Sequence, residues 1–433
     1  MFKSQSFVTS LYLFYILSYM TNLKRHLIVL FLLIFCCFTP VWSDPTVEIR
    51  GNGPVGSVVT LFRQDTIVYR QKIQDDGKYS FKITDGPERK FLTCNRVGFK
   101  SSGRIGIPSG NVSSDFYLSP IKQQRKTVSA WISTPVFSEG IKSFANHASL
   151  FTHISPMAYR IVENGRIHWN PDREVRSVQQ VAYKHSLAVY PTLGADYKSP
   201  IVRDMIRNPE IRDRQIHHIA QQMLWFGFEG VDLDFEGIDP ADRNAFTAFV
   251  RLLADTLHSY GLGLSVTLQP KLQTQGGQDY QAIGEVADIV RIMCYDNHWG
   301  KPIPPHHSDY TWVRNVMRFA ISDSGGIPPE KLVMALPLYG HRGKVDGEHA
   351  LFWTEIVDIL KEAGLPESHV QRNAYDLPFF YIQGEAVYFE DGLSVRKKLD
   401  IIDELELQGV CFWRLGQEDP QLYRFIDDWL KGE

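Results

Sequence analysis

The sequence predicts an α/β protein: a TIM (β/α)8 barrel preceded by a small all-β sandwich. Three observations carry this. Eight apolar, strand-like runs recur after residue 126, capped helical periods separate them, and the residues before 120 hold only short alternating runs with turn signals.

At 433 residues the chain has room for one large domain and a small one. Hydrophobic content of 44% and charged content of 22% are those of an ordinary globular protein. A net charge of −3 gives no reason to expect nucleic acid or an anionic membrane surface as a partner.

Residues 1–43 stand apart. Lys24, Arg25 and His26 precede an apolar run at 27–38, which ends at Val41-Trp42-Ser43. A basic region, a short apolar core and a small residue are the pattern of a secretory signal peptide, with Met20 as its natural start. The run is shorter than the roughly 20 residues of a membrane span. A second apolar patch at 7–19 leaves a two-segment anchor as the rival reading. The expectation is an exported monomer, secreted or periplasmic, with no stable span after signal removal. Cys36 and Cys37 would leave with the signal, and Cys94, Cys294 and Cys411 read as buried thiols, too few for a disulfide framework.

Residues 44–119 read as the sandwich. Alternating runs at 47–50, 58–63, 67–73 and 79–83 are punctuated by Gly51-Asn52-Gly53 and by Asp75-Asp76-Gly77, the latter a hairpin signal. In composition this region resembles the carboxypeptidase-regulatory and transthyretin-like accessory modules. Residues 120–126 are a polar linker, and 127–433 form the barrel. Its strands are placed at 128–134, 151–159, 187–193, 230–236, 263–269, 288–296, 331–340 and 409–416, continuous apolar runs suited to parallel strands covered on both faces. Asn208-Pro209 and Asp239-Pro240 each put a capping side chain before a proline at the first helical position. The second of these helices shows Phe246, Phe249, Val250, Leu253 and Leu257 on one face and closes near Gly261. The interval 341–408 is too long for one helix and predicts a short β-rich insertion between the last two strands.

Chemistry concentrates in Gly230-Val231-Asp232-Leu233-Asp234-Phe235-Glu236. Side chains alternate along a strand, so Asp232, Asp234 and Glu236 share one face and Val231, Leu233 and Phe235 the other. On a barrel strand the apolar set meets the helices and the acids point inward. Inward acids are costly unless they share protons and hydrogen bonds, and burial beside like charge raises a carboxyl pKa as a general acid requires. Glu236 comes last, at the C-terminal end where barrel active sites sit. The spacing therefore makes Glu236 the acid, Asp234 a group turning between its neighbours, and Asp232 the holder of the proton below.

These residues, with Met293-Cys294-Tyr295-Asp296, the run 336–340 and the run 409–420, resemble the motifs of glycoside hydrolase family 18, nearest its bacterial spore-germination and cortex-fragment-lytic branch. The resemblance implies a retaining glycosidase acting on β-1,4-linked, N-acetylglucosamine-containing polysaccharide or oligosaccharide by substrate-assisted catalysis, without metal or organic cofactor. It implies Glu236 as acid then base, Asp234 on the acetamide N–H, Tyr295 on the acetamide carbonyl, Asp296 near the −1 sugar and Trp413 as its floor. Met293, Tyr339 and Trp131 are further candidates for lining the site, each also readable as packing. Two departures stand out: Glu229 replaces the signature's first aspartate, a change expected to affect packing only, and Thr192-Leu193-Gly194 replaces the serine-glycine-glycine run of many chitinases. Peptidoglycan is therefore as open a substrate as chitin. An inert, lectin-like barrel is the alternative, disfavoured because Glu236 is present. His298, His306 and His307 lack metal-ligand spacing and read as a loop beside the site.

Overall fold

The structure is a computed structural model and describes residues 46–162, 166–169, 173–296, 308–342 and 350–432. The signal region and His298, His306 and His307 lie outside the described residues.

The barrel is present. Its strands are β1 (Thr127–Ile132), β2 (His153–Val162), β3 (Thr192–Gly194), β4 (Gly230–Asp234), β5 (Gly263–Leu268), β6 (Ile289–Met293), β7 (Leu332–Pro337) and β8 (Gly409–Trp413). They pair in parallel in chain order, and β8 and β2 both pair with β1, so the sheet closes on itself. The third predicted run is broken: Ala188–Val189 pairs with β2 at one level and Thr192–Gly194 at the next, with a register shift between Thr192 and Leu193. The predicted strands overrun the observed ones at their C-terminal ends. Glu236, Tyr295 and Asp296 stand beyond their strands, on the turns at the barrel mouth.

Alternation sorts the strand residues as expected. Val231, Leu233 and Phe235 join Phe246, Phe249, Val250, Leu253 and Leu257 in the core between strands and helices. Inside the barrel lies a separate cluster of Trp131, Ile289, Val333, Ala335 and Cys411, edged by Met157, Tyr295 and Trp413. Asn208 caps Pro209–Phe226 by accepting from the backbone N–H groups of Glu210 and Ile211, and Asp239 accepts from Ala241 N–H ahead of the helix Arg243–Ser259. Cys94, Cys294 and Cys411 are buried free thiols.

The insertion after β7 is a five-stranded antiparallel sheet with the helix Trp353–Glu362, and its first strand, Tyr339–Arg342, follows β7 directly. Ahead of the barrel, a four-stranded sheet has the order Thr66–Lys72, Val58–Arg63, Lys90–Asn95, Ile105–Ile107. The Asp75-Asp76-Gly77 turn forms, with Gly77 at φ 70°. It does not close a hairpin, since Thr66–Lys72 and Lys78–Thr84 belong to different sheets. The turn carries the chain from one layer of the sandwich to the other, a choice that local turn chemistry leaves open.

Residues Glu48–Phe81 and Glu88–Glu433 form one compact unit. Within it the accessory sheet covers the N-terminal end of the barrel. Phe62 and Phe91 meet Trp225 edge-on at 5.7 and 5.6 Å, and the Arg104 guanidinium lies 3.7 Å from the Trp225 ring centroid. Gly261, at φ 74°, ends its helix as the sequence predicts and also abuts this sheet: a Cβ there would lie 2.4 Å from the Asn95 carbonyl oxygen. Lys100 Nζ reaches Glu229 at 2.6 Å and the Leu187 carbonyl at 2.6 Å. Glu229 also accepts from the backbone N–H groups of Ser101 (3.1 Å) and Val189 (2.8 Å). The expectation that Glu229 affects packing alone is therefore corrected: it is a buried, ion-paired clamp between sheet and barrel. Among the described residues no helix is long and apolar enough to cross a membrane.

Candidate active site

At the C-terminal ends of the strands a cavity of about 830 Å³ opens. Its walls include Trp131, Asp234, Glu236, Met293, Tyr295, Asp296, Tyr339 and Trp413, so all but one of the sequence-predicted residues converge there. The exception is Asp232, which lies beneath, fully buried.

Asp232 is saturated with donors. Oδ1 accepts from Ser265 Oγ (2.7 Å) and Thr267 Oγ1 (3.1 Å); Oδ2 accepts from Trp131 Nε1 (3.0 Å) and Thr192 Oγ1 (2.9 Å) and pairs with Arg291 Nη1 at 3.0 Å. Trp131 Nε1 can only donate and Arg291 is cationic, so Oδ2 is held as an acceptor, while the three hydroxyls can give or take a hydrogen bond.

Asp234 is the carboxyl whose surroundings most disfavour its charge. One of its carboxyl oxygens, Oδ1, is sealed from solvent with no partner among the described residues. Burial first, then the carboxyls of Glu236 and Asp232, push its pKa well above the ordinary range, with Arg291 opposing. Glu236 is raised as well, by burial and then by Asp296. Its backbone is fixed from several sides. Its carbonyl accepts from Lys198 N–H (3.2 Å), and Gly237 N–H donates to Gln269 Oε1 (2.8 Å). Gln278 Nε2 donates to the Phe235 carbonyl (3.1 Å), and Gln278 Oε1 accepts from Gln269 N–H (2.9 Å). Gly237 has φ 65°, and a Cβ there would lie 2.8 Å from Lys198 N, so the turn presenting Glu236 requires glycine.

Facing these acids, Asp296 adopts a left-handed backbone (φ 55°) and accepts a hydrogen bond from Tyr339 Oη at 2.8 Å, with His341 Nε2 at 3.7 Å. Burial holds the Tyr295 and Tyr339 phenols well above their usual pKa, so both remain O–H donors. Trp131 does two jobs that the sequence left as alternatives: its indole N–H holds Asp232, and its ring meets Trp413 edge-on at 5.9 Å in the cavity wall. Met293 is nearly buried at the cavity's edge.

Sequence reasoning missed Arg291, Gln269, Tyr197, Lys271 and Trp312. Arg291 and Gln269 were legible, since they keep the inward parity of Met293 on β6 and of Ser265 and Thr267 on β5. Tyr197 and Lys271 line the cavity from irregular segments and Trp312 from the first turn of the helix Tyr310–Ile321, where the strand period of two does not reach. Among the described residues no cluster of histidine, cysteine and carboxylate side chains is arranged to hold a metal ion.

The family model for glycosyl hydrolases family 18 matches residues 117–418, and the chain belongs to that family. It is a glycoside hydrolase by class. Over 338 residues, 74% of this chain and 75% of the relative, it is 27% identical to the cortical fragment-lytic enzyme of Bacillus subtilis (strain 168). The crystal structure of the Bacillus megaterium QM B1551 spore cortex-lytic enzyme SleL superimposes with a TM-score of 0.61 at 25% identity, covering 75% of this chain and 76% of that one. A chitinase from Chromobacterium violaceum ATCC 12472 shares the fold, with a TM-score of 0.62 at 20% identity, covering 70% of this chain and 99% of that one.

Proposed function

We propose that this protein hydrolyses β-1,4 glycosidic bonds in N-acetylglucosamine-containing glycans with retention, the substrate's own acetamide acting as nucleophile. The carrying observation is the division of labour among the carboxyls round one cavity. Glu236, with its raised pKa, is suited to protonate the glycosidic oxygen and then, as a base, to activate water. An enzyme nucleophile would have to be a second ionised carboxylate about 5–5.5 Å from the acid. Burial and its carboxyl neighbours push Asp234 towards its neutral form, which suits it poorly to that part. Membership of glycosyl hydrolases family 18 implies the acetamide carbonyl as the nucleophile, with Asp234 beside its N–H, Tyr295 donating to its oxygen, and Trp413 under the −1 ring.

Peptidoglycan is the polymer favoured by the relative named for cortical fragment lysis, and chitin is the second candidate. An exported enzyme suits either, as the basic-then-apolar start of the sequence supports. The test is release of reducing ends from muropeptide glycan and from chitin oligosaccharides by wild type and by Glu236→Gln. Turnover by wild type alone supports the reading, and equal rates for the two proteins would refute it.

A further inference from the structure

Inside the barrel, below the cavity, lies the one buried cation in reach of the carboxyl stack among the described residues. Arg291 is fully buried on β6, one alternation below Met293. Its Nη1 donates to Ser155 Oγ (2.9 Å) and pairs with Asp232 Oδ2 (3.0 Å), and its guanidinium lies 5.0 Å from the Trp131 ring centroid. Nε and Nη2 have no partner among the described residues. A cation so poorly served by hydrogen bonds is tolerable in a barrel core only beside a fixed counter-charge.

We propose that Arg291 is a positioning residue of the hydrolysis: it fixes Asp232 as the permanent anion at the barrel centre, so that the mobile proton of the stack stays on Asp234, next to Glu236. The proposal rests on the reading of Glu236 as acid and base. The groups facing Arg291 come from every side. From β2, His153 is held neutral by burial and by Arg291 itself, its pKa well below the usual value. From the chain ahead of β3, the buried Tyr190 stays a phenol, and from β8 burial pushes the Cys411 thiol up to about 11. From β4 come Asp232 and Asp234. One cation thus faces two carboxyls, and neutrality in a low-dielectric core lets one ionise while the other keeps a proton. The partners favour Asp232 as the ionised one: its Oδ2 takes the Trp131 N–H and the Arg291 pair and its Oδ1 has two hydroxyls in reach, whereas Asp234 Oδ1 has no partner among the described residues. When Glu236 gives its proton to the leaving oxygen, the carboxylate so formed meets an O–H on Asp234 instead of a second negative charge.

The test measures kcat and KM of the full chain on an N-acetylglucosamine oligosaccharide from about pH 4 to about pH 9, for wild type, Arg291→Met, Arg291→Lys, Asp232→Asn and Glu236→Gln. Loss of the cation raises the proton affinity of every carboxyl it faced. In Arg291→Met both limbs of the profile should therefore move to higher pH, and kcat should fall roughly ten- to a hundredfold with KM little changed. Arg291→Lys should return the limbs towards their wild-type positions. Asp232→Asn, which removes the anion and keeps the cation, should move them to lower pH, and it decides the matter if Arg291→Met does not fold. A merely structural arginine would lower the rate and leave the profile in place. Unmoved limbs in Arg291→Met or in Asp232→Asn, beside an inactive Glu236→Gln, overturn this proposal alone. A Glu236→Gln protein as fast as wild type overturns the catalytic reading with it.

Discussion

Glu229 and Glu236 stand at the two ends of one strand and meet opposite surroundings. Glu229, just before β4, is met by Lys100 and by two backbone N–H groups, and its charge is fully compensated within the protein. Glu236, just beyond β4, has no ion-pair partner among the described residues and faces Asp296 across a cavity. The first end of the strand is closed by ion pairing and the second is left open on the cavity. In a parallel barrel the strand N-termini can be closed by another layer, while the C-terminal turns are free to converge on a substrate.

Neutralising each acid in turn separates the two roles. Glu236→Gln should lower kcat about 10³-fold, the scale of general acid catalysis, with the melting temperature preserved or raised; a rate within tenfold of wild type breaks the contrast. Glu229→Ala should do the reverse. Lys100 would be left buried without its counter-charge, at a cost of about 3–5 kcal/mol in denaturant unfolding, while kcat per folded molecule stays the same. Gly261→Ala tests the same closed end by shape alone. A Cβ there presses on the Asn95 carbonyl and favours the wrong φ, so stability should fall by about 1–3 kcal/mol without a change in KM.

The smallest effect concerns pH. Because the folded-state pKa of Glu236 is raised above its unfolded value, its stabilising contribution is complete below the unfolded carboxyl range and is lost as pH rises through the folded value. Glu236→Gln should therefore melt higher than wild type at neutral and alkaline pH, and the gap should close in acid. A gap that is constant with pH would show that Glu236 is no costlier ionised in the folded protein than in the unfolded one.

Much of the site was legible because barrel strands obey a period of two. That rule placed Asp232, Asp234 and Glu236 on the inward face, and it would have placed Arg291 and Gln269 there too. The rule gives direction but not depth. Asp232 and Asp234 share a parity, yet one is ringed by Trp131, Thr192, Ser265, Thr267 and Arg291 and the other lines the cavity, because the ring's members come from four other strands. Tyr339 shows the same limit. Read as the end of a barrel strand, it belongs to the insertion's first strand and reaches Asp296 from there.

The sequence by itself determined the (β/α)8 architecture, the family and the inward run of carboxyls, since strand period, helix caps and spaced acids are local signals. Only the tertiary structure decided which carboxyl is ringed by donors and which faces the cavity, which end of the barrel the accessory sheet closes, and that Glu229 is its clamp. Those depend on charges and donors brought together from strands far apart in the chain. The energy of a buried charge is set by its neighbours in space, and no local period records them.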